Sequence, residues 1–365
     1  MEYYAFWAFC IPKEQKELAH ARRLRTAHNV HAVAPAALDR AKARIEPELR
    51  AAIGQLDENL RIPATYHLGW TDRNGNANDG GGGKGVRSTL AVLGAEAVHG
   101  SVETAVPGGI AVELIHNFSL IHDDIMDNDR MRRHRATVWD IFGVGDAIIV
   151  GDAMHALAFQ VLINSENPAS VAATERLARA TSAMIAGQAQ DVALDRGSTA
   201  TLAECIAMEA NKTGALLAQS VAIGAVLGGG DDAAVDALEH FGVTLGIAFQ
   251  AVDDVLGIWG DSVATGKPVG NDLREQKKSM PIAIALDRGG DIGQAVMQAF
   301  TEPMGDAQID ALAAQLDSAG IRAEVQSIAR DYLDEAIASL DSAELAPQAK
   351  AELIELANFI WERDS

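Results

Sequence analysis

The chain is short of cysteine, proline and basic residues, and each shortage removes a class of protein. Two cysteines in 365 residues, Cys10 and Cys205, with no metal-ligand spacing between them, argue against a disulfide scaffold and suit a reducing compartment. Ten prolines against abundant alanine favour helix over sheet. Thirty lysines and arginines face 51 aspartates and glutamates, a formal net charge of −21. A body this acidic does not hold nucleic acid through its overall field and avoids anionic membranes, so an anionic ligand would need local cations or bound metal. No stretch reads as the ~20 apolar residues of a membrane span. The opening MEYYAFWAFCIP is too short to span and lacks the basic region and cleavage site of a signal peptide. A cytoplasmic enzyme or binding protein is the expectation.

Strict apolar alternation over strand length is also missing, as is any repeat of solenoid length. What is present is helical periodicity between glycine-rich breaks. In 231–257, Val235, Leu238, Phe241, Leu245, Phe249, Val252 and Leu256 recur at threes and fours, with Asp231 or Asp232 as N-cap. In 201–227, Thr201 and Glu204 fit a capping box. The pattern predicts an all-α domain of ten or more helices over residues 36–365, preceded by an N-terminal extension, 1–35, for which no partner can be read.

Segment 109–130, GIAVELIHNFSLIHDDIMDNDR, carries the chemistry. Leu114, Ile115, Phe118, Ile121 and Ile125 form an apolar stripe, while His116, Ser119, Asp123 and Asp127 line a second face, with Asp124 on its flank. Most acidic clusters are solvated helix ends. This one reads as lying deep in an amphipathic helix and is followed at once by RMRRHR, with Arg130, Arg132, Arg133 and Arg135. Carboxylate oxygens are the ligands Mg²⁺ prefers, usually with waters and substrate phosphates completing the shell. Carboxylates that hold metal beside arginines that hold phosphate describe a diphosphate site.

Further motifs follow in order: GGGKGVRS (81–88), GDAMHALAF (151–159), GQAQDVAL (187–194), NKTGAL (211–216), FQAVDDVLGIWGD (249–261) and TGKPVGNDLREQKKSMPIAIAL (265–286). Over residues 80–290 this ordered set resembles the trans-isoprenyl diphosphate synthases, the polyprenyl synthetase family. The resemblance implies an isoprenoid synthase-type helical bundle around a deep cavity, usually homodimeric, and a Mg²⁺-dependent prenyltransferase joining isopentenyl diphosphate to allylic diphosphates. It implies three Mg²⁺ ions with substrate bound. Asp123 and Asp127, supported by Asp124, match the ligands at the allylic diphosphate, and Asp253 matches the ligand of the third ion. Arg132 matches the arginine that grips the allylic diphosphate. Lys84, Arg87, His116 and Arg133 match the isopentenyl diphosphate pocket. Lys212, Thr213, Gln250 and Lys267 match the allylic end and reaction centre. Asp272, Lys277 and Lys278 match a loop that closes over the site. His122, His134 and His155 match no role and are expected to be structural.

Two departures stand out. The second acidic motif reads Asp253-Asp254-Val255-Leu256-Gly257 and lacks its third carboxylate. Asp261 is a substitute only if the helix runs on, which Gly257 and Gly260 make doubtful. Gly85 and Ser88 also stand where many members have arginine and proline, so the isopentenyl pocket is expected to be less basic. Phe118, five before Asp123, matches a position whose aromatic ring often floors the product cavity, and the first motif has no two-residue insertion. Together these point to a C20, geranylgeranyl product, with C15 farnesyl next. If Ser119 rather than Phe118 faces the cavity, products are longer. The rival readings are a class I terpene cyclase and a non-catalytic subunit of a heteromeric synthase. The first requires a late Asn/Asp-x-x-Ser/Thr-x-x-x-Glu motif that NDLREQKKS lacks; the second is marked by loss of the first acidic motif, which is intact.

Overall fold

The structure, a computed structural model, describes residues 34–78, 83–197, 199–260 and 269–362. It is a bundle of α-helices, in chain order α1 (Ala36–Ile53), α2 (Glu58–His67), α3 (Val86–Ala97), α4 (Val102–Met126), α5 (Val138–Phe142), α6 (Val144–Ile163), α7 (Ser170–Arg196), α8 (Leu202–Glu209), α9 (Ala215–Leu227), α10 (Asp232–Trp259), α11 (Asn271–Arg274), α12 (Met280–Arg288), α13 (Gly290–Ala299), α14 (Asp306–Ser318), α15 (Ile321–Ser339) and α16 (Pro347–Glu362). Among the described residues the paired strands are two-residue pieces, β1 (Met131–Arg132) and β2 (Arg135–Ala136), antiparallel with Met131 opposite Ala136 and Arg132 opposite Arg135.

Helix α9 explains the architecture. Its sequence, ALLAQSVAIGAVL, is apolar or small apart from Gln219, whose amide is hydrogen-bonded to Arg176 and Glu239, and every residue but Val226 is buried. A helix without a polar face belongs at the centre of a bundle. α3, α4, α7 and α10 surround it. Two glycines set its closest crossing: a Cβ at Gly94 would lie 2.0 Å from the Val221 carbonyl oxygen, and one at Gly224 would lie 1.9 Å from that of Ala91. The α3 and α9 backbones therefore touch directly, and any side chain there would force them apart.

Local signals agree with the sequence at several ends. Asp231, not Asp232, caps α10 and accepts from the Ala234 amide at 2.9 Å. The capping box of Thr201 and Glu204 starts α8. The segment expected to run as one helix from 201 to 227 is instead divided: Ala210–Gly214 forms a π-helical turn between α8 and α9. α10 runs unbroken through Gly257 but ends at Trp259, with Gly260 as its C-cap in an extended conformation (ψ 151°), so the doubt about a helix continuing past Gly260 is borne out, while Gly257 itself does not break it. Asp261, like residues 1–33 and Lys267, lies outside the described residues.

By length and composition, α4, α6 and α10 could each cross a membrane, a possibility the sequence reading had not found. The apolar windows of α4 and α10 are largely buried inside the protein, which accounts for their composition. α6 differs, leaving Val144, Ile148, Ile149 and Ile163 exposed.

Candidate active site

The first acidic motif sits at the C-terminal end of α4, not deep within it. The helix ends at Met126, and Asp127 is its C-cap, still in right-handed helical conformation (φ −87°, ψ −4°), with its amide donating to the Asp123 carbonyl oxygen at 2.8 Å. Asp123 and Asp127 therefore keep their shared face. Negative charge at a helix C-terminus opposes the helix dipole, by about 0.3–1 kcal/mol per group. A solvated acidic helix end belongs at the other terminus, so the placement itself favours a bound cation.

The basic run that follows turns back as a hairpin. Arg133 and His134 occupy its two-residue turn with φ of 51° and 61°, a conformation that favours asparagine and glycine. The turn separates the arginines into two jobs. Arg135 donates to the carbonyls of Tyr66 (3.1 Å) and Thr71 (3.0 Å) and stacks over the Tyr66 ring, and Arg130 pairs with Asp140 at 2.7 Å; both pin the hairpin down. Arg132 and Arg133 turn inward. Arg132 Nε donates to Asp124 Oδ1 at 2.7 Å, and the Asp124 side chain is 1 % exposed. Asp124 thus holds an arginine, and its other oxygen has no protein partner.

Arg132 and Arg133 line a cavity of about 650 Å³ with Lys84, Arg87, His116, Thr213, Gln250 and Asp253. Eight of the residues singled out from the sequence thus converge on one cavity from α3, α4, the hairpin, the π turn and α10. Glu113 organises its basic wall. It accepts from both the amide (3.1 Å) and hydroxyl (3.0 Å) of Ser88, tying the start of α3 to α4. Gly85, the N-cap of α3, has φ +66°, so arginine at that position would be strained. Five lysine and arginine side chains, Lys42, Lys84, Arg87, Arg132 and Arg133, line the cavity without it. Burial lowers the Arg87 guanidinium to about 10 against the opposing pull of Glu113. Burial, reinforced by Arg87, Arg133 and Arg132, holds His116 well below the ordinary imidazole range, so it is neutral at physiological pH.

Lys212 and Thr213, two of the residues matched to the reaction centre, stand on the π turn, and Gln250 faces them from α10. Lys212 Nζ pairs with Asp191 Oδ2 at 2.5 Å and lies within the field of Asp123. Thr213 Oγ1 donates to Gln250 Oε1 at 3.1 Å; Gln250 Nε2 donates to Asp254 Oδ1 at 3.0 Å; Asp254 Oδ2 accepts from the Met280 amide at 2.7 Å. Behind them lie Glu209 and Cys205. Burial, then the neighbouring Asp254, pushes Glu209 well above the usual carboxylate range, so it is protonated and donates to Asp254. Cys205 Sγ donates to Glu209 Oε1 at 3.2 Å. The ligand atoms of Cys205, Glu209 and Asp254 lie within 4.8 Å of one another. A thiol, a protonated acid and complete burial are a poor set for a hard cation. This network instead fixes which way the Gln250 amide faces.

Sequence reasoning gave no role to Asp191, Glu113, Glu209 or Asn117. Asn117 Oδ1 meets His67 Nε2 at 3.1 Å behind the arginines. Asp191, Glu113 and Asn117 stood within quoted motifs, GQAQDVAL and the 109–130 segment, without a role; Glu209 carried no signal before the fold brought it in. Phe118 does not line the 650 Å³ cavity but packs between α4 and α6, its ring centroid 5.2 Å from that of His122 and 5.0 Å from that of His155. Of the three unassigned histidines, His122 meets the Ile148 carbonyl at 3.1 Å, His155 packs edge-on against Phe118 and Phe159, and His134 sits in the hairpin turn.

The donor set of the first motif fits Mg²⁺. Burial, opposed by Lys212 and reinforced by Asp127, raises Asp123 to about 6; burial, opposed by Arg132, raises Asp124 to about 6. The folded protein thus holds these protons to a higher pH than the unfolded chain. Without metal, stability falls as pH rises from about 4 to about 6, and a bound cation returns it because it requires the ionised form. Mg²⁺ should therefore raise the melting temperature clearly at a pH well above 6 and little at one well below. Equal thermal shifts on both sides would refute the assignment of these carboxylates.

An all-α cavity with a basic wall, Asp253 and Gln250 in its lining, and Asp124 of the first acidic motif paired with its Arg132 defines a class of enzyme that handles diphosphates. The chain belongs to the polyprenyl synthetase family: the family model of that description matches residues 70–316. It is 38% identical over 326 residues to the (2E,6E)-farnesyl diphosphate synthase of Mycobacterium tuberculosis, covering 88% of this chain and 91% of that protein. To the geranylgeranyl diphosphate synthase of the same organism it is 39% identical over 332 residues, covering 90% and 94%. A crystal structure of a polyprenyl synthetase from Streptomyces coelicolor superposes with a TM-score of 0.85 at 45% identity, covering 89% of this chain and 98% of that one. A geranylgeranyl pyrophosphate synthase from Corynebacterium glutamicum, solved with isoprenyl diphosphate and magnesium, gives 0.77 at 26%, covering 90% and 98%. The chain is a trans-prenyl diphosphate synthase, using isopentenyl and allylic diphosphates.

Proposed function

We propose that the chain is a cytoplasmic, homodimeric geranylgeranyl diphosphate synthase, one catalytic domain over residues 36–365 with 1–35 as an extension. The observation that carries the C20 product is the aromatic residue at position 118, buried five residues before Asp123 against α6. Relatives making C15 and C20 products are equally similar, so identity does not separate them. The apolar strip on α6, Val144, Ile148, Ile149 and Ile163, is the natural dimer face.

In this reading Asp123 and Asp127 hold two Mg²⁺ ions at the allylic diphosphate and Asp253 holds a third. Bound Mg²⁺ neutralises the diphosphate as the allylic C–O bond ionises, which is when that charge develops. Arg132, oriented by Asp124, grips the same diphosphate. Lys84, Arg87, Arg133 and neutral His116 seat isopentenyl diphosphate so that its double bond faces the allylic carbon. Lys212, Thr213, Gln250 and Lys267 place their dipoles at the reacting end, and the Gln250 carbonyl is set by the Thr213 and Asp254 hydrogen bonds. The new C–C bond forms as the allylic C–O bond breaks, and the proton lost from the isopentenyl unit goes to the departing diphosphate. Apolar helix faces exclude the water that would quench the cation.

Product analysis by mass spectrometry tests this, with Mg²⁺, isopentenyl diphosphate and C5, C10 or C15 primers. A C20 diphosphate from each primer is the expected product. Hydrocarbon or alcohol from an allylic substrate alone would make the chain a cyclase. Phe118→Ala should lengthen the product beyond C20; an unchanged length would move the floor elsewhere, with Ser119, on the Asp123 line of α4, the next residue to test.

A further inference from the structure

The second acidic motif carries glycine where its third carboxylate would stand, and the structure shows what fills that place. Gly257 lies inside α10 and is not among the glycines of positive φ. Neither a turn nor a left-handed conformation accounts for it, and glycine within a helix is less favourable than alanine. Close approach does account for it. A Cβ at Gly257 would lie 2.2 Å from Asp272 Oδ2, 2.4 Å from its Cγ and 2.7 Å from Oδ1. The carboxylate of Asp272 occupies the volume in which a side chain at 257 would begin.

We propose that Asp272 supplies, from α11, the third carboxylate that α10 lacks, and that Gly257 is the space reserved for it. The proposal rests on the prenyltransfer reading of the second motif. Three observations place Asp272 for that task. Gly257 is one helical turn beyond Asp253, about 6 Å along the axis, the same i,i+4 spacing that separates Asp123 from Asp127. Asp272 is held between Asn271 and Leu273, both buried, on a short helix packed against α10. Its charge also reaches Lys277, which stands 3.8 Å from Asp127 and 3.2 Å from Glu275. The Lys277 amide donates to the Asp272 carbonyl oxygen at 2.9 Å. Lys277 thus ties the Asp272 segment to Asp127 of the first motif.

This arrangement makes an unusual forecast. Rewriting the motif in its three-carboxylate form, Gly257→Asp, should damage the site, because the new side chain and Asp272 cannot share the volume. Moving the carboxylate, Gly257→Asp with Asp272→Gly, should restore it. Mn²⁺ uptake in the presence of inorganic diphosphate, followed by loss of the free-ion EPR signal, reads this without turnover. Asp272→Asn, which keeps the shape and removes the charge, and Gly257→Ala, which displaces the carboxylate with one methyl group, should each weaken uptake by about tenfold or more. The double variant should regain most of that loss. Parent-like uptake by Asp272→Asn, or a folded double variant no better than Asp272→Asn, would overturn the proposal. A parent that condenses isopentenyl diphosphate while the swap fails loses this inference alone; a parent that incorporates none loses the functional reading with it.

Discussion

Asp123→Asn is expected to lower kcat by about a hundred- to a thousandfold, as loss of a preorganised electrostatic contact to a developing charge does, while leaving the KM for isopentenyl diphosphate nearly unchanged. Asparagine keeps the size and the hydrogen-bonding oxygen but removes the charge. The effect should fall on kcat because the interaction is needed most when the allylic C–O bond breaks. Of the side chains proposed for isopentenyl diphosphate, Lys84, Arg87 and Arg133 lie on other elements, and His116 lies seven residues away along α4, so that wall is left intact. The same substitution should have the opposite effect on stability. In the folded protein burial and Asp127 raise Asp123 to about 6, so its ionised form is held at a cost that grows as pH rises through that value. Removing the charge should raise the melting temperature of the metal-free protein above pH 6 and abolish much of the Mg²⁺-dependent shift. Steady-state kinetics at saturating Mg²⁺ and thermal melts decide both points. A variant with kcat within about tenfold of the parent would show that Asp123 is not a principal metal ligand.

The sequence carried the class of the fold and most of the cavity, for reasons the structure makes plain. Helical period and caps are local properties, so Asp231, Thr201 and Glu204 were readable. The motifs were readable because the chemistry demands particular residue types at particular spacings. Register within a helix was less so. The π turn at Ala210–Gly214 inserts a wider turn with no local spelling, so the helical period of 201–227 does not reveal it. The C-terminal position of the first motif was missed because the apolar stripe and the acidic face overlap over Ile121–Ile125. The split of the arginines, with Arg130 and Arg135 structural and Arg132 and Arg133 in the cavity, depends on a hairpin with two residues in a left-handed conformation. Gly257 read as a defect, since its occupant, Asp272, is fifteen residues further on and reaches it only through the fold. Glycine within a helix is ambiguous from sequence: it marks either weakness or contact, and only the neighbour decides.

Gly187→Ala is the sharpest test of that last point and the second large effect expected. Gly187 is buried in the middle of α7, and a Cβ there would lie 2.3 Å from the Lys212 nitrogen and 2.6 Å from its Cα. These are backbone atoms of the π turn, so no rotamer change can relieve the overlap; α7 and the turn must separate. A π turn places its residues out of the register a continuous helix would give them, and such turns occur frequently at functional sites. Here the turn carries Lys212 towards Asp191 and Asp123 and sets Thr213 against Gln250. One methyl group should therefore act as a displacement of the reaction centre by about an ångström, which costs on the order of a hundredfold in rate. Overpacking of this kind destabilises by about 1–3 kcal/mol, so the protein should still fold and its melting temperature should fall modestly. Binding of isopentenyl diphosphate, governed by α3 and the hairpin, should change little. A Gly187→Ala enzyme with unaltered kcat and a lowered melting temperature would mean that the approach of α7 to the π turn serves packing alone, and that Lys212 and Thr213 are positioned by α9 and α10 without it.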